Sequence, residues 1–135
     1  MGAWGEDTFG NDAACDWVGQ FLEKPGMAKV WGAINSVLHA DDYLDSEPAC
    51  DCLAACEVLA RLQGNWGVRN AYSKVLDTWI EANPLEVPRD LKKAADSAID
   101  RILDADSELL ALWDEDGRNA TLHDAIDDLR SRVAG

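Results

Sequence analysis

Leu91, Ala94, Ala95, Ala98, Ile99, Ile102 and Leu103 fall on one stripe of a 3.6-residue repeat. Only a helix puts all seven on one face. The same period recurs along the chain. Ala14, Trp17, Val18, Phe21 and Leu22 form a first helical face, stopped by Pro25-Gly26. Met27, Val30, Trp31, Ile34 and Leu38 form a second, before an acidic loop or short turn over residues 39–46. Ser46-Glu47-Pro48 reads as a helix start, with Ser46 as N-cap and Pro48 in the first turn, where its missing N–H costs no bond. This third helix is expected to reach Leu62, ended by Gly64. A fourth is expected over residues 68–82, with Tyr72, Val75, Leu76, Trp79 and Ile80 inward, and Asn83-Pro84 closes it. A Pro-bounded linker, 83–88, precedes the Leu91 stripe. A short helix over 107–113, capped by Ser107, and a last one over 120–133, with Leu122, Ala125, Ile126, Leu129 and Val133 inward, complete the chain. No alternating run of β-branched or aromatic residues bounded by hairpin turns is present. The expectation is an all-α fold, a single compact bundle of about six or seven short helices.

With 135 residues and 47% hydrophobic content, the chain fits one folded domain with a core of its own. Residues 1–12, MGAWGEDTFGND, read as an N-terminal coil arm and 13–135 as the helical body. Gly2, Gly5 and Gly10 disfavour helix or strand in the arm. Trp4 and Phe9 each gain roughly 1.5–3 kcal/mol when buried. The arm is therefore expected to dock its two rings on the body, with Asn11 capping the first helix.

A net charge of −14 excludes whole classes of partner. Nucleic acid demands a cationic footprint, and anionic membrane surfaces repel an acidic chain. No apolar run approaches the roughly 18–20 residues of a membrane span, and no basic-then-apolar leader opens the chain. The expected compartment is the cytoplasm, and the expected partner a basic protein. Residues 66–89, with three acids and three bases, form the neutral stretch and are expected to be the buried hub.

The residues that could carry chemistry fall short of a catalytic pattern. Cys50, Cys52 and Cys56 follow a C-x-C-x3-C spacing inside the third helix. Cys52 and Cys56 lie about 40° apart on the core stripe, while Cys50 falls on the other side, beside Glu57 and Arg61, and is expected to be exposed. Thiols on two faces of one helix cannot close on one metal, so packing as small hydrophobes is the expectation. His39, His123 and Asp124, with Asp128, resemble the His…His-Asp…Asp ligands of all-α metal-dependent phosphohydrolases, although a lone His-Asp pair is a weak signal and a solvated helix face accounts for both histidines. Asp104-Ala-Asp106-Ser-Glu108 begins like a calcium loop but has Leu109 where glycine is needed. No nucleophile elbow and no phosphate loop is present. No cofactor is expected.

The opening MGAWG…F…ND, Asp16-Trp17, Glu81-Ala-Asn-Pro84 and Ser107-Glu-Leu-Leu…Leu-Trp113 resemble a bacterial family of small proteins of unknown function. Its members open Met-Gly-Ala/Thr-Trp-Gly and run through Phe to Asn/Asp-Asp before a first helix. The resemblance spans nearly the whole chain and implies that arm and body form one unit. It implies no activity, and so carries over no catalytic or ligand residues.

These readings favour a non-enzymatic acidic module that binds protein, of which an inhibitor or immunity-type protein masking a basic toxin surface is the concrete form. The expected contact residues are Asp41, Asp42, Asp45 and Glu47, or Asp114, Glu115 and Asp116. Trp66, flanked by glycine-rich loop, is a further candidate as a partner's anchor, with a core plug as the alternative. Two other readings stay open: a small-molecule binder with its pocket between arm and bundle, and a metal-dependent hydrolase using His39, His123 and Asp124.

Overall fold

The computed structural model describes residues 12–40, 43–66, 74–104, 106–115, 117 and 119–134, and within these the side chains of all but 12–15, 113 and 119–122. The fold is all-α. Seven helices are present among the described residues: α1 (Asp12–Glu23), α2 (Met27–Leu38), α3 (Ser46–Leu62), α4 (Lys74–Ala82), α5 (Arg89–Ile102), α6 (Glu108–Glu115) and α7 (Asn119–Ala134). Trp4, Phe9 and Asn11 of the arm, Asp41, Asp42, Asp116 and residues 67–73 lie outside what is described, as do the side chains of Cys15, Trp113 and Leu122.

The bundle is built around α3, which packs against each of the other six helices. Every residue from Cys52 through Arg61 is buried. A helix enclosed on all sides must let its neighbours come close, and small side chains allow this: Ala49, Ala54, Ala55, Ala60, Cys52 and Cys56 are all fully buried. The hub is therefore α3, not the neutral stretch 66–89. Within that stretch α4 is one-sided, with Leu76, Asp77 and Ile80 buried but Val75 66% exposed, and residues 83–86 face solvent.

Cys50 is also buried, contrary to the exposure expected from its position on the helix. Glu57 and Arg61, which share its side, are 3% and 2% exposed. An i,i+4 acid–base pair normally marks a wet face. Here other charged residues cover it.

The ends of α3 are held in two ways. At the C-terminus Gly64 adopts φ 84°, and the N–H groups of Gly64 and Asn65 donate to the carbonyls of Arg61 (3.0 Å) and Ala60 (2.9 Å), the glycine-terminated cap expected there. At the N-terminus Ser46 is the first helical residue, not the cap; the cap position is Asp45, whose side chain makes no capping bond. The Ser46 N–H instead donates to Glu108 Oε1 of α6 at 2.7 Å. Beside it Leu44, only 1% exposed, exchanges backbone bonds with the segment entering α6: its N–H donates to the Asp106 carbonyl and its carbonyl accepts from the Glu108 N–H, both at 2.8 Å. The loop between α2 and α3 is thus laced to the start of α6. Ser107, expected to cap that helix, is fully buried, and its hydroxyl has no hydrogen-bond partner among the described residues.

The amphipathic helices pack as their stripes require. Trp17, Val18 and Phe21 of α1 are buried, and Phe21 stacks on Trp17 (centroids 5.4 Å apart) and meets Trp79 of α4 edge-on at 5.2 Å. From α2 come Val30, Ala33, Ile34 and Val37; from α5 Leu91, Ala95, Ala98, Ile99 and Ile102; from α7 Ile126, Leu129 and Val133. Because α3 has no free side, Ala55→Leu should overpack the hub and lower unfolding free energy by about 1–3 kcal/mol in urea melts. A variant as stable as the parent would mean that α3 is not enclosed.

Candidate functional site

Two helices place polar side chains at i,i+4. Asp16 and Gln20 follow this spacing on α1, and the acids Glu47 and Asp51 on α3. Packing α1 against α3 brings Asp16, Gln20, Glu47 and Asp51 around one cleft of about 270 Å³, walled by Trp17. A neighbouring hollow of about 360 Å³ shares Trp17, Gln20 and Asp51 and continues along α2, past Lys29. Lys29 Nζ donates to Gln20 Oε1 at 3.0 Å.

The electrostatics of this cleft are unbalanced. Burial, then the Glu47 carboxylate and more weakly that of Asp16, push the half-buried Asp51 from the usual carboxylate range up to about 6, with Lys29 acting in the opposite direction. Deeper on the same helix, burial and then the carboxylates of Asp51, Glu108 and Glu47 push the Cys50 thiol up to about 12. A thiol held protonated and enclosed is a poor nucleophile at neutral pH. Cys52 is likewise held protonated, by its hydrogen bond with Cys56 and by full burial.

The residues singled out in the sequence are dispersed. Glu47 lines the acidic cleft, and Asp45 is exposed at the entry to α3 just before it. Asp114 and Glu115 are exposed at the far end of α6 and do not line that cleft. Trp66 is half-buried, packs against the core, and lies under the Arg61 guanidinium, whose carbon is 5.8 Å from the ring centroid. His39 is exposed at the C-cap of α2, while His123, Asp124 and Asp128 lie on α7. Asp128 accepts from Arg132 Nε at 2.9 Å. Among the described residues no group of three or more His, Cys, Asp or Glu side chains is placed to hold a metal ion.

A second cleft, about 540 Å³, opens between α5 and α7. Lys92, Lys93 and Ser97 line one side, Val133 and Ala134 the other, with Ile99 also in its lining. Arg130 closes part of it, with Nε on Asp96 Oδ1 at 2.7 Å and Nη2 on Asp100.

The residues missed by sequence reading are Asp16, Asp51, Lys92 and Lys93. One signal was available: like charges at i,i+4, as in Glu47 and Asp51, cost stability on an isolated helix.

Asp51 is more readily protonated in the folded chain than in the unfolded one, so its ionisation opposes folding as pH rises through about 6. Solvent screens part of this penalty at a half-buried site. Asp51→Asn should therefore raise the melting temperature by a few degrees at pH 7.5, with the advantage fading as pH falls toward 4. A variant less stable at pH 7.5, or a gain unchanged between the two pH values, would contradict the repulsion.

No curated protein and no solved structure matches the chain significantly. Residues 2–125 match the family model DUF4259, a domain of unknown function, and the chain belongs to that family.

Proposed function

We propose that this protein is an acidic helical module that binds a basic protein, and that the cleft between α1 and α3 receives a cationic side chain of that partner. The observation that carries the reading is the convergence of Asp16, Glu47 and Asp51 on one cleft beside Trp17. Burial, together with the Glu47 carboxylate and more weakly that of Asp16, makes an ionised Asp51 costly in the free protein. An incoming guanidinium or ammonium removes that cost on binding. Arginine fits better than lysine, because its planar fork meets carboxylates in pairs. The overall charge of −14 adds long-range attraction, which speeds encounter with a basic surface and disfavours acidic competitors. An inhibitor or immunity-type role, covering the cationic active surface of a toxin, is the concrete form.

Cytoplasmic residence belongs to the same proposal. It is supported by the free thiols Cys50, Cys52 and Cys56. Among the described residues no helix is long and apolar enough to cross a membrane.

Affinity capture tests the reading. Tagged protein in native lysate at about 50 mM salt should retain a basic interactor that elutes near 500 mM, because screening shortens the reach of charge. The triple variant Asp16→Asn/Glu47→Gln/Asp51→Asn should lose it. An empty eluate from the parent chain, or equal retention by the variant, would overturn the proposal.

A further inference from the structure

The cleft between α5 and α7 runs against the character of the rest of the surface. In a chain with 26 acids and 12 bases, it places two adjacent lysines on one lip. Three cations form ion pairs among the described residues: Arg61 with Glu57 and Asp77, Arg132 with Glu57 and Asp128, and Arg130 with Asp96 and Asp100. Lys92, half-buried, and Lys93, exposed, have no ion-pair partner among the described residues. The one carboxylate in the lining, Asp96, is paired with Arg130, which it shares with Asp100, so the cationic lining residues Lys92, Lys93 and Arg130 outnumber Asp96.

The rest of the lining is aliphatic. Ile99 of α5 and Val133 of α7, 0% and 2% exposed, form its floor, and Ala134 of α7 adds a methyl group at the rim. A volume of about 540 Å³ lies in the range typical of small-molecule sites, which combine an apolar lining with a few convergent polar groups.

We propose that the α5–α7 cleft is a binding site for a small amphiphilic carboxylate, with Lys92 and Lys93 holding the acid and Ile99, Val133 and Ala134 covering the apolar body. Ser97 lies in the same lining and offers a hydroxyl donor for the second carboxylate oxygen. This site is separate from the acidic cleft and independent of it. The net charge sharpens the inference. A −14 protein repels anions as a whole and attracts cations, so any preference for an anionic amphiphile must come from local charge.

The test uses 1-anilinonaphthalene-8-sulfonate, an anionic apolar fluorophore, titrated onto the full chain. Saturable one-to-one enhancement is expected, displaced by decanoate below its micellar concentration but not by decyltrimethylammonium. Lys92→Glu/Lys93→Glu should weaken dye affinity by roughly tenfold or more. Ala134→Trp should weaken it comparably by filling the rim while leaving the charge in place. Far-ultraviolet circular dichroism reports whether each variant folds, and both sets of changes are at surface positions. Absence of saturable binding to the parent chain would overturn the proposal. So would equal displacement by the cationic amphiphile, or parent-like affinity in the folded charge-reversed variant.

Discussion

The guanidinium of Arg61, 2% exposed in the middle of a helical bundle, is the constraint to which the rest of the structure answers. A buried charge without partners is prohibitively costly. Arg61 meets two carboxylates: Glu57 one turn back on α3, with Nε to Oε2 at 3.1 Å, and Asp77 on α4. Glu57 in turn accepts a forked pair from Arg132 of α7, at 2.7 and 3.0 Å, and Arg132 also reaches Asp128. The chain of charges ties α3, α4 and α7 together. It is reinforced by Gln63 and Asn65, whose amides donate to the carbonyls of Val133 (2.8 Å) and Arg132 (2.9 Å) at the end of α7. Bonds of this kind have strict geometry, so they select one docking of the three helices where apolar packing alone tolerates several.

That docking leaves the opposite end of α3 to a different device. There Glu108 of α6 accepts from the Ser46 N–H, and Leu44 is stitched to the same segment. Both clefts are consequences of the arrangement. Enclosing α3 forces α1 and α2 to lean across its first turns, which gathers Asp16, Glu47 and Asp51. It also sets α7 beside α5, which opens the lysine-lined cleft above Ile99 and Val133.

The legible parts of the sequence were the elements with one wet side. The Leu91 stripe, the Trp17–Phe21 face and the Val30–Ile34 face predict their helices and their burial together, because each alternates core and solvent with the helical period. The α3 sequence defeats that logic. A helix covered everywhere has no contrast to read, and Glu57 and Arg61 imitate a solvated pair. What covers them, Asp77 and Arg132, lies 16 or more residues further along the chain, a relation no local pattern encodes. The run of alanines and cysteines between residues 49 and 60 was the available sign of close packing. Cys50 was misplaced for the same reason. The clefts were illegible because they arise between helices: Glu47 was singled out as an acid on a surface, but its neighbours Asp16 and Asp51 join it only through packing, as Lys92 joins Val133. Membership of DUF4259 is consistent with the family resemblance read from the N-terminal signature and the later motifs, and it adds no activity.

The account stands on the buried ion network as the feature that holds α3 in its place. Replacing Arg61 with methionine keeps much of the side-chain volume and removes the guanidinium that joins the buried carboxylates of Glu57 and Asp77. Equilibrium urea unfolding of Arg61→Met at pH 7 should show a loss of about 3 kcal/mol or more relative to the parent chain. A change within about 0.5 kcal/mol, the range of an ordinary surface substitution, would contradict it.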